Sequence, residues 1–341
     1  MAKTSSGRFS DIDEMMFNQR LGSMTKEELV AALDDIAGLG VSKKIRERME
    51  EMVVFPFMHK FPEFAVTQLT SRYQAAGGVC AMYLADAFGK WAEMNAGKAE
   101  AWMDQQISSG TFDTKALDGK RWMQESYEGA LVAVMLSKND GDGAARHLDR
   151  VPASQRKDFI TGIVAARSGF PADEQAGFAK LVRGHVPEAG QAEVFGVEAG
   201  QLSGNLSDIP GYLERIGATP EERAICLGYA ASTNIAHISW NRKVTREDVV
   251  AMREWANTEM PEAVDRFTGE ALGKAGERHI KMNFAEAADF AVEFNDAAGN
   301  DEVLAAFLGT EAARSNKLQA RALAGKISDE SRRAEILKGL E

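Results

Sequence analysis

Cysteine, proline and basic residues are scarce in this chain of 341 residues, and each shortage excludes a class of protein. Two cysteines cannot form a disulfide framework, and they are too few for a zinc site built from cysteine ligands. Eight prolines exclude a collagen-like or proline-rich chain. Lysine and arginine number 40 against 51 acidic residues, which gives a net charge of −11. No nucleic-acid partner is therefore expected, because basic surfaces bind phosphate groups.

Long hydrophobic runs are missing as well. The longest uncharged run is Ala224–Asn241, and its 18 residues include serine, threonine, asparagine and histidine. A membrane-spanning helix needs about 20 mostly apolar residues. The run therefore predicts a buried helix, and no membrane insertion of this chain is expected.

The N-terminal residues 1–9 are polar and lack the apolar core of a signal peptide. Their composition predicts a flexible segment. Removal of a signal or anchor would leave a segment of this kind, so an exported or periplasmic location stays open. The sequence assigns no other location.

Apolar residues make up 45% of the chain and charged residues 27%, as is usual for a folded protein. Alternating strand-like patterns are nearly absent, and apolar residues recur at helical spacing. The stripes are Met123, Tyr127, Leu131, Val134 and Met135; Phe159, Ile160, Ile163 and Val164; and Phe284, Ala287, Phe290, Ala291 and Phe294. The predicted fold class is all-α.

Signals for helix ends agree with these stripes. Thr25 and Glu28 have the spacing of a capping box, and Thr245 is placed to cap a later helix. Further signals are two prolines suited to first turns and three glycines suited to helix ends: Pro220, Pro261, Gly217, Gly309 and Gly325.

A short polar turn followed by small residues recurs along the chain, at 60–65, 95–99, 139–144, 170–176, 206–210, 244–248 and 283–287. The first alanines after these turns, Ala65, Ala99, Ala144 and Ala176, are spaced by 34, 45 and 32 residues. Such periods are typical of two-helix repeats. We predict one domain over 10–341, an α-solenoid of about seven degenerate helix-turn-helix repeats similar to tetratricopeptide or HEAT repeats. The alternative is two helical bundles divided near Pro187.

The aromatic residues beside the turns predict how one hairpin packs. Trp91 precedes the turn at Asn95, and Ala99 and Trp102 follow it. An antiparallel helix pair brings such positions together. We therefore predict that Trp91 and Trp102 contact each other in the core rather than form a platform for ligand stacking.

The stretch Phe88–Trp102, FGKWAEMNAGKAEAW, resembles the repeat of uncharacterised bacterial helical-repeat proteins, whose consensus is roughly W-A-x-x-D-P-E-A-A-L-A-W. Lys60–Val66 and Asn139–Ala145 are similar to further copies, although most copies here lack the Asp-Pro pair. The resemblance covers about Ser10 to Gln191. It implies a helical-repeat fold and a scaffold-like role. It implies no catalytic residues, since the family has no assigned activity.

No local pattern of catalytic or metal-binding residues stands out. The five histidines, His59, His147, His185, His237 and His279, are too far apart in sequence for a zinc pair on one helix. The loop Asn139–Gly143 fails as a calcium loop, because Lys138 occupies its first ligand position, and Asp140 instead suits a helix cap. We therefore predict no catalytic, cofactor-binding or metal-binding residue, and no cofactor.

Other reactive residue types also have structural interpretations. The adjacent carboxylates Asp34 and Asp35 point about 100° apart on a helix, so an acidic surface is expected. The stretch Phe195–Gly200 lacks the preceding strand and the Lys-Ser/Thr ending of a phosphate loop. Cys80 and Cys226 stand among apolar neighbours and are expected to be buried and unreactive.

The last residues, Glu311–Glu341, hold seven basic and five acidic residues, in contrast to the acidic remainder. This end is interpreted as a solvated capping helix. Association of the basic end with the acidic body of a second copy stays open, and so does a homo-oligomer.

A repeat architecture without convergent chemistry predicts a non-enzymatic binding or scaffold protein that uses the concave surface of the solenoid. An acidic body favours a protein or peptide partner with basic or neutral patches. The alternative function is an α-helical hydrolase or lyase whose site is assembled from remote residues.

Overall fold

Helices are the only regular secondary structure in the part of the chain that the structure describes. A computed structural model gives residues 19–73, 79–113, 122–277 and 281–341, and no strand occurs among them. The all-α prediction is therefore confirmed for these residues. The predicted flexible segment 1–9 lies outside them.

Two compact units make up the chain, Met1–Arg150 and Val151–Glu341. Pro187, where the alternative prediction divided the chain, lies inside the second unit. That one repeat domain spans 10–341 stays a prediction.

In the described part of the first unit, residues 19–23 are helical, and six longer helices follow that pack mainly against their neighbours in sequence. Helix α4 packs against α2, α3 and α5, and α5 packs against α6. The bounds are α1 (Lys26–Gly38), α2 (Lys43–Lys60), α3 (Pro62–Tyr73), α4 (Val79–Ser108), α5 (Trp122–Ser137) and α6 (Gly141–Asp149).

The second unit alternates between two sets of helices. The bounds are α7 (Arg156–Arg167), α8 (Gln175–His185), α9 (Glu188–Leu202), α10 (Ile209–Arg215), α11 (Pro220–Asn241), α12 (Arg246–Glu259), α13 (Val264–Ala275), α14 (Phe284–Ala298), α15 (Glu302–Leu308), α16 (Glu311–Ser315), α17 (Lys317–Ala324) and α18 (Glu330–Gly339). Helices α7, α9, α11, α13, α15 and α17 pack in this order, each on the next. Helix α12 packs against α11 and α13, and α14 packs against α13 and α15.

Glycines allow the helices of the first set to approach each other closely. A Cβ atom on Gly196 of α9 would lie 2.6 Å from Tyr229 Cδ2 on α11. A Cβ atom on Gly269 of α13 would overlap the Val303 carbonyl and lie 2.7 Å from Phe307 N on α15. Gly269 therefore lies so close to the backbone of α15 that a larger residue does not fit at this position.

The seven predicted turns all fall where a helix is interrupted or begins. Phe61 separates α2 from α3, and Asn139 separates α5 from α6 with a φ angle of 57°. Asn95 is the one non-helical residue inside α4, and its side-chain oxygen accepts the Lys98 N–H. The remaining four turns join α7 to α8, α9 to α10 and α11 to α12, and begin α14.

The predicted caps are also in place. Thr25 and Glu28 form a capping box at the start of α1, and Thr245 forms one with Asp248 at the start of α12. Pro220 occupies the first turn of α11, which contains the uncharged run Ala224–Asn241. Local sequence therefore fixes where these helices begin.

The predicted contact between Trp91 and Trp102 is confirmed, with ring centroids 5.7 Å apart. Trp102 also lies 6.1 Å from Phe88 and 6.0 Å from Tyr127. A straight helix would separate positions 88 and 102 by about 21 Å. The chain therefore folds back at Asn95, and the two halves of α4 form a hairpin.

Substitution of Gly269 by alanine should destabilise the second unit by about 1–3 kcal/mol, because the new methyl group overlaps the backbone of α15. Gly162, inside α7, is the matched control, since a Cβ atom there would meet no atom within 4 Å. Gly162→Ala should stabilise by about 0.5–1 kcal/mol. Urea unfolding of both variants measures the difference. Equal stability of the two would contradict the close helix approach.

Substitution of Trp102 by alanine should destabilise the first unit by about 3 kcal/mol, since it empties space between three aromatic rings. Trp122 is the control, because it lies at the start of α5 and is 43% exposed. Its alanine variant should lose less than about 1 kcal/mol. Thermal unfolding followed by circular dichroism compares them. A similar small loss at Trp102 would indicate an exposed ring.

Candidate functional site

A groove crosses the second unit along α9, α11 and α13. It consists of two adjoining cavities of about 690 Å³ and about 1060 Å³. Glu221, Ile225 and Tyr229 line both cavities, so the two are continuous over the surface of α11. We call this surface the α11 groove.

Helical spacing explains why α11 forms the middle of the groove. Residues 221, 225 and 229 are four apart and share one face of the helix, and Ser232 and Thr233 continue it. Small residues leave this face open, since Ala224 and Gly228 stand between the larger side chains. The groove therefore follows from one exposed helix face that two neighbouring helices flank.

Tyr229 separates the two cavities. Its ring packs on Gly196 of α9, and the residue stays 37% exposed. Burial of the rest of the ring raises the pKa of the Tyr229 hydroxyl; nearby Glu193 raises it further, and Lys157 opposes the shift. An aromatic ring held firmly and open on one side is a suitable anchor for a binding partner.

Several charged side chains of the groove are paired within the protein. Arg183 contacts Glu222 at 2.8 Å, and Lys274 contacts Glu277 at 2.8 Å. Among the described residues, the carboxylates of Glu221 and Glu270 have no ion pair and no hydrogen bond. Burial raises the pKa of the Glu270 carboxyl, and the nearby Arg266 lowers it. Two carboxylates therefore remain available to a ligand.

None of the four histidines that the structure describes lines this groove. His59 lies against Phe55 and Lys90 at the surface, and His237 lies against the exposed ring of Trp240. His185 ends α8, where its carbonyl accepts a hydrogen bond from Arg156. His279 lies outside the described residues. In the groove, then, no histidine meets the carboxylates.

His147 is instead part of a buried ionic cluster in the first unit. Its Nδ1 atom lies 2.6 Å from the Glu128 carboxylate, and its Nε2 atom lies 3.3 Å from that of Glu100. Arg150 contacts Glu128 at 3.2 Å and Asp104 at 2.8 Å. His147 is fully buried, and sequence analysis missed its partner Glu128, which is only 2% exposed.

The cluster is arranged for structure rather than for reaction with a substrate. His147 and Glu128 are both buried, so neither side chain faces an open cavity or solvent. No group of three or more histidine, cysteine, aspartate or glutamate side chains among the described residues is placed to hold a metal ion. The role that the geometry supports is the joining of α4, α5 and α6.

Glu198 in the second unit is a further buried acid that sequence analysis did not select. Glu198 is fully buried on α9. Its Oε1 atom accepts a hydrogen bond from the Phe170 N–H, with 2.6 Å between oxygen and nitrogen. Burial raises the pKa of this carboxyl to about 7. The only local sign of this buried acid in the sequence is that Glu198 is the one charged residue among the small and apolar residues of Phe195–Gly200.

The remaining residues considered in the sequence agree with their structural interpretations. Cys80 and Cys226 are buried, and burial raises the pKa of each thiol to about 12, so neither is a reactive thiolate at neutral pH. Asp140 caps α6 by accepting the Gly143 N–H at 2.8 Å. Asp34 is exposed and contacts Arg72 at 3.2 Å.

Two findings concern the surface. In the described ranges, no helix combines the length and the apolar character needed to cross a membrane. At the basic C-terminal end, Arg332 contacts Glu302 at 2.8 Å, and Lys317 donates a hydrogen bond to the Glu341 carbonyl. Part of this positive charge is therefore used within the second unit.

Comparison with family models, with curated proteins and with solved structures finds no match to this chain.

Replacement of Glu128 by alanine should destabilise the first unit by about 3 kcal/mol, because it leaves His147 and Arg150 without their buried carboxylate. Asp104 is the matched control, since it also contacts Arg150 but has a side chain that is 51% exposed. Asp104→Ala should cost less than about 1 kcal/mol. Urea unfolding followed by tryptophan fluorescence compares the two, and equal losses would contradict a structural role for the buried cluster.

Proposed function

We propose that the protein is a non-enzymatic binding or scaffold protein, and that the α11 groove holds a segment of another protein or a peptide. In this proposal the helix pairs of each unit are degenerate repeats of an α-solenoid similar to tetratricopeptide or HEAT repeats. The stacked helices then present their exposed faces side by side, which gives an extended binding surface.

The observation that carries the proposal is the continuity of the groove. Two cavities meet at Tyr229, and together they cross three helices that follow each other in the packing order. A cavity for a small substrate is usually enclosed and confined to one place. An elongated surface with one aromatic anchor at its centre suits an extended chain.

The charge of the groove favours a partner with basic residues. Glu221 and Glu270 are the unpaired carboxylates, and Glu188 adds a third acidic side chain at the α9 end. Of the groove cations, Arg183 and Lys274 are engaged by Glu222 and Glu277, and Arg266 lies near Glu270. Acidic side chains therefore still outnumber the cations that are not already paired. Lysine or arginine side chains of a partner would complement these groups, and the association would weaken as salt rises.

A hydrolase or lyase with a site assembled from remote residues is the alternative. It would need a histidine and carboxylates that converge in an open cavity. The closest arrangement in the described residues is His147 with Glu128, and both side chains are buried. No observation favours this alternative over binding.

Selection of a random peptide library displayed on phage, with the full chain as bait, tests the proposal. We expect the selected peptides to be enriched in lysine and arginine. Tyr229→Ala should weaken the binding of these peptides about tenfold, since it removes the central anchor.

Trp240→Ala is the matched control, because Trp240 is a 55% exposed aromatic residue on the same helix that lines neither cavity. It should leave the affinity unchanged. Binding is measured by fluorescence anisotropy with labelled peptides. Failure to select any peptide, or selected peptides that bind the Tyr229→Ala variant equally well, would overturn the proposal.

A further inference from the structure

The loop between α7 and α8 is held closed around one aromatic side chain. Phe170 is 2% exposed, and its ring stacks on Phe178 of α8 with centroids 4.6 Å apart. The Arg167 guanidinium covers the Phe170 ring at 4.8 Å. The backbone directly before Phe170 turns sharply, since Ser168 and Gly169 have φ angles of 58° and 94°.

Both backbone groups of Phe170 are bound by side chains from helices. Its N–H donates to Glu198 of α9 at 2.6 Å, and its carbonyl accepts from the Gln175 amide at 2.9 Å. Gln175 is in turn fixed by Arg215 of α10, at 2.6 Å. We call this arrangement of Phe170, Gln175 and Glu198 the Phe170 clasp.

Glu198 is satisfied on one oxygen only. Oε1 accepts the Phe170 N–H, whereas Oε2 is buried without a hydrogen-bond partner. A buried carboxylate usually needs several donors or a paired cation to hold a full charge. The neutral carboxylic acid carries a much smaller desolvation cost, so this environment favours the protonated form.

The charged groups around Glu198 come from each neighbouring segment. The Phe170 N–H that Glu198 accepts lowers the pKa of this carboxyl, Arg167 of α7 lowers it further, and Glu174 before α8 raises it. Arg167 is engaged by Glu174 at 3.0 Å, which limits how far it compensates Glu198. Tyr212 of α10 also lies near Glu198, and its hydroxyl donates to the Phe195 carbonyl. Burial remains the dominant influence and raises the pKa of Glu198 to about 7.

We propose that Glu198 is a proton-binding latch: the Phe170 clasp stays closed while this carboxyl group is neutral, and the loop 168–174 opens when the group ionises. Opening exposes Glu198 to water and releases the Phe170 ring from Phe178. The device is independent of any ligand in the α11 groove.

The direction of the pH dependence follows from proton linkage. In the open loop the Glu198 carboxyl has a pKa near its ordinary value of 4.5, and in the closed loop the pKa is about 7. The closed state therefore binds more protons between these values, and its stability falls as pH rises through this window. Below pH 4.5 the closed loop is fully favoured, and above about pH 7 no further loss is expected.

Hydrogen exchange of the Phe170 amide measures the latch directly, because this amide donates to Glu198. After correction for the intrinsic exchange rate, its protection should fall by about tenfold or more from pH 5 to pH 8 in the native protein. The Leu227 amide, in the middle of α11, should show no comparable fall.

Glu198→Gln is the matched variant, since glutamine keeps an oxygen to accept the Phe170 N–H and has no titrating proton. Protection of the Phe170 amide should then change by less than about twofold over the same range. Should this variant fail to fold, Glu198→Met gives the same test of titration. The proposal is overturned if native protection is independent of pH, if a non-titrating variant shows the same fall, or if Leu227 loses protection in parallel.

Discussion

Close helix approach at glycine positions is the constraint on which the second unit depends. Where α9 meets α11, the ring of Tyr229 rests on Gly196, and where α13 meets α15, Gly269 faces backbone directly. These contacts set how closely α9 approaches α11 and how closely α13 approaches α15. The exposed face of α11 therefore has one orientation, and Tyr229 stands at the centre of the groove because Gly196 leaves room for its ring.

Much of the fold was predictable because its signals are local. The seven turns, the capping residues Thr25 and Thr245 and the buried stripe that includes Tyr127 each depend on residues within a few positions of one another. The contact of Trp91 with Trp102 was predictable for the same reason, since one turn at Asn95 brings them together. Helix boundaries and short hairpins thus follow from the residues themselves.

The candidate sites were not predictable, since each depends on residues from separate helices. Glu128 and His147 are in contact although they are 19 residues apart in sequence, and Glu198 and Phe170 are 28 residues apart. Nothing in the neighbourhood of Glu198 in sequence shows that one of its oxygens is buried without a partner. The groove likewise requires the packing order of α9, α11 and α13, whereas periodicity predicts only that each helix has a buried face.

The packing order of the second unit also affects how the chain folds. Each helix there contacts mainly helices one or two places away in sequence, so few long loops must close before contacts form. Contacts such as those around Gly196 and Gly269 therefore join helices that are close in sequence, and they form without first bringing distant parts of the chain together.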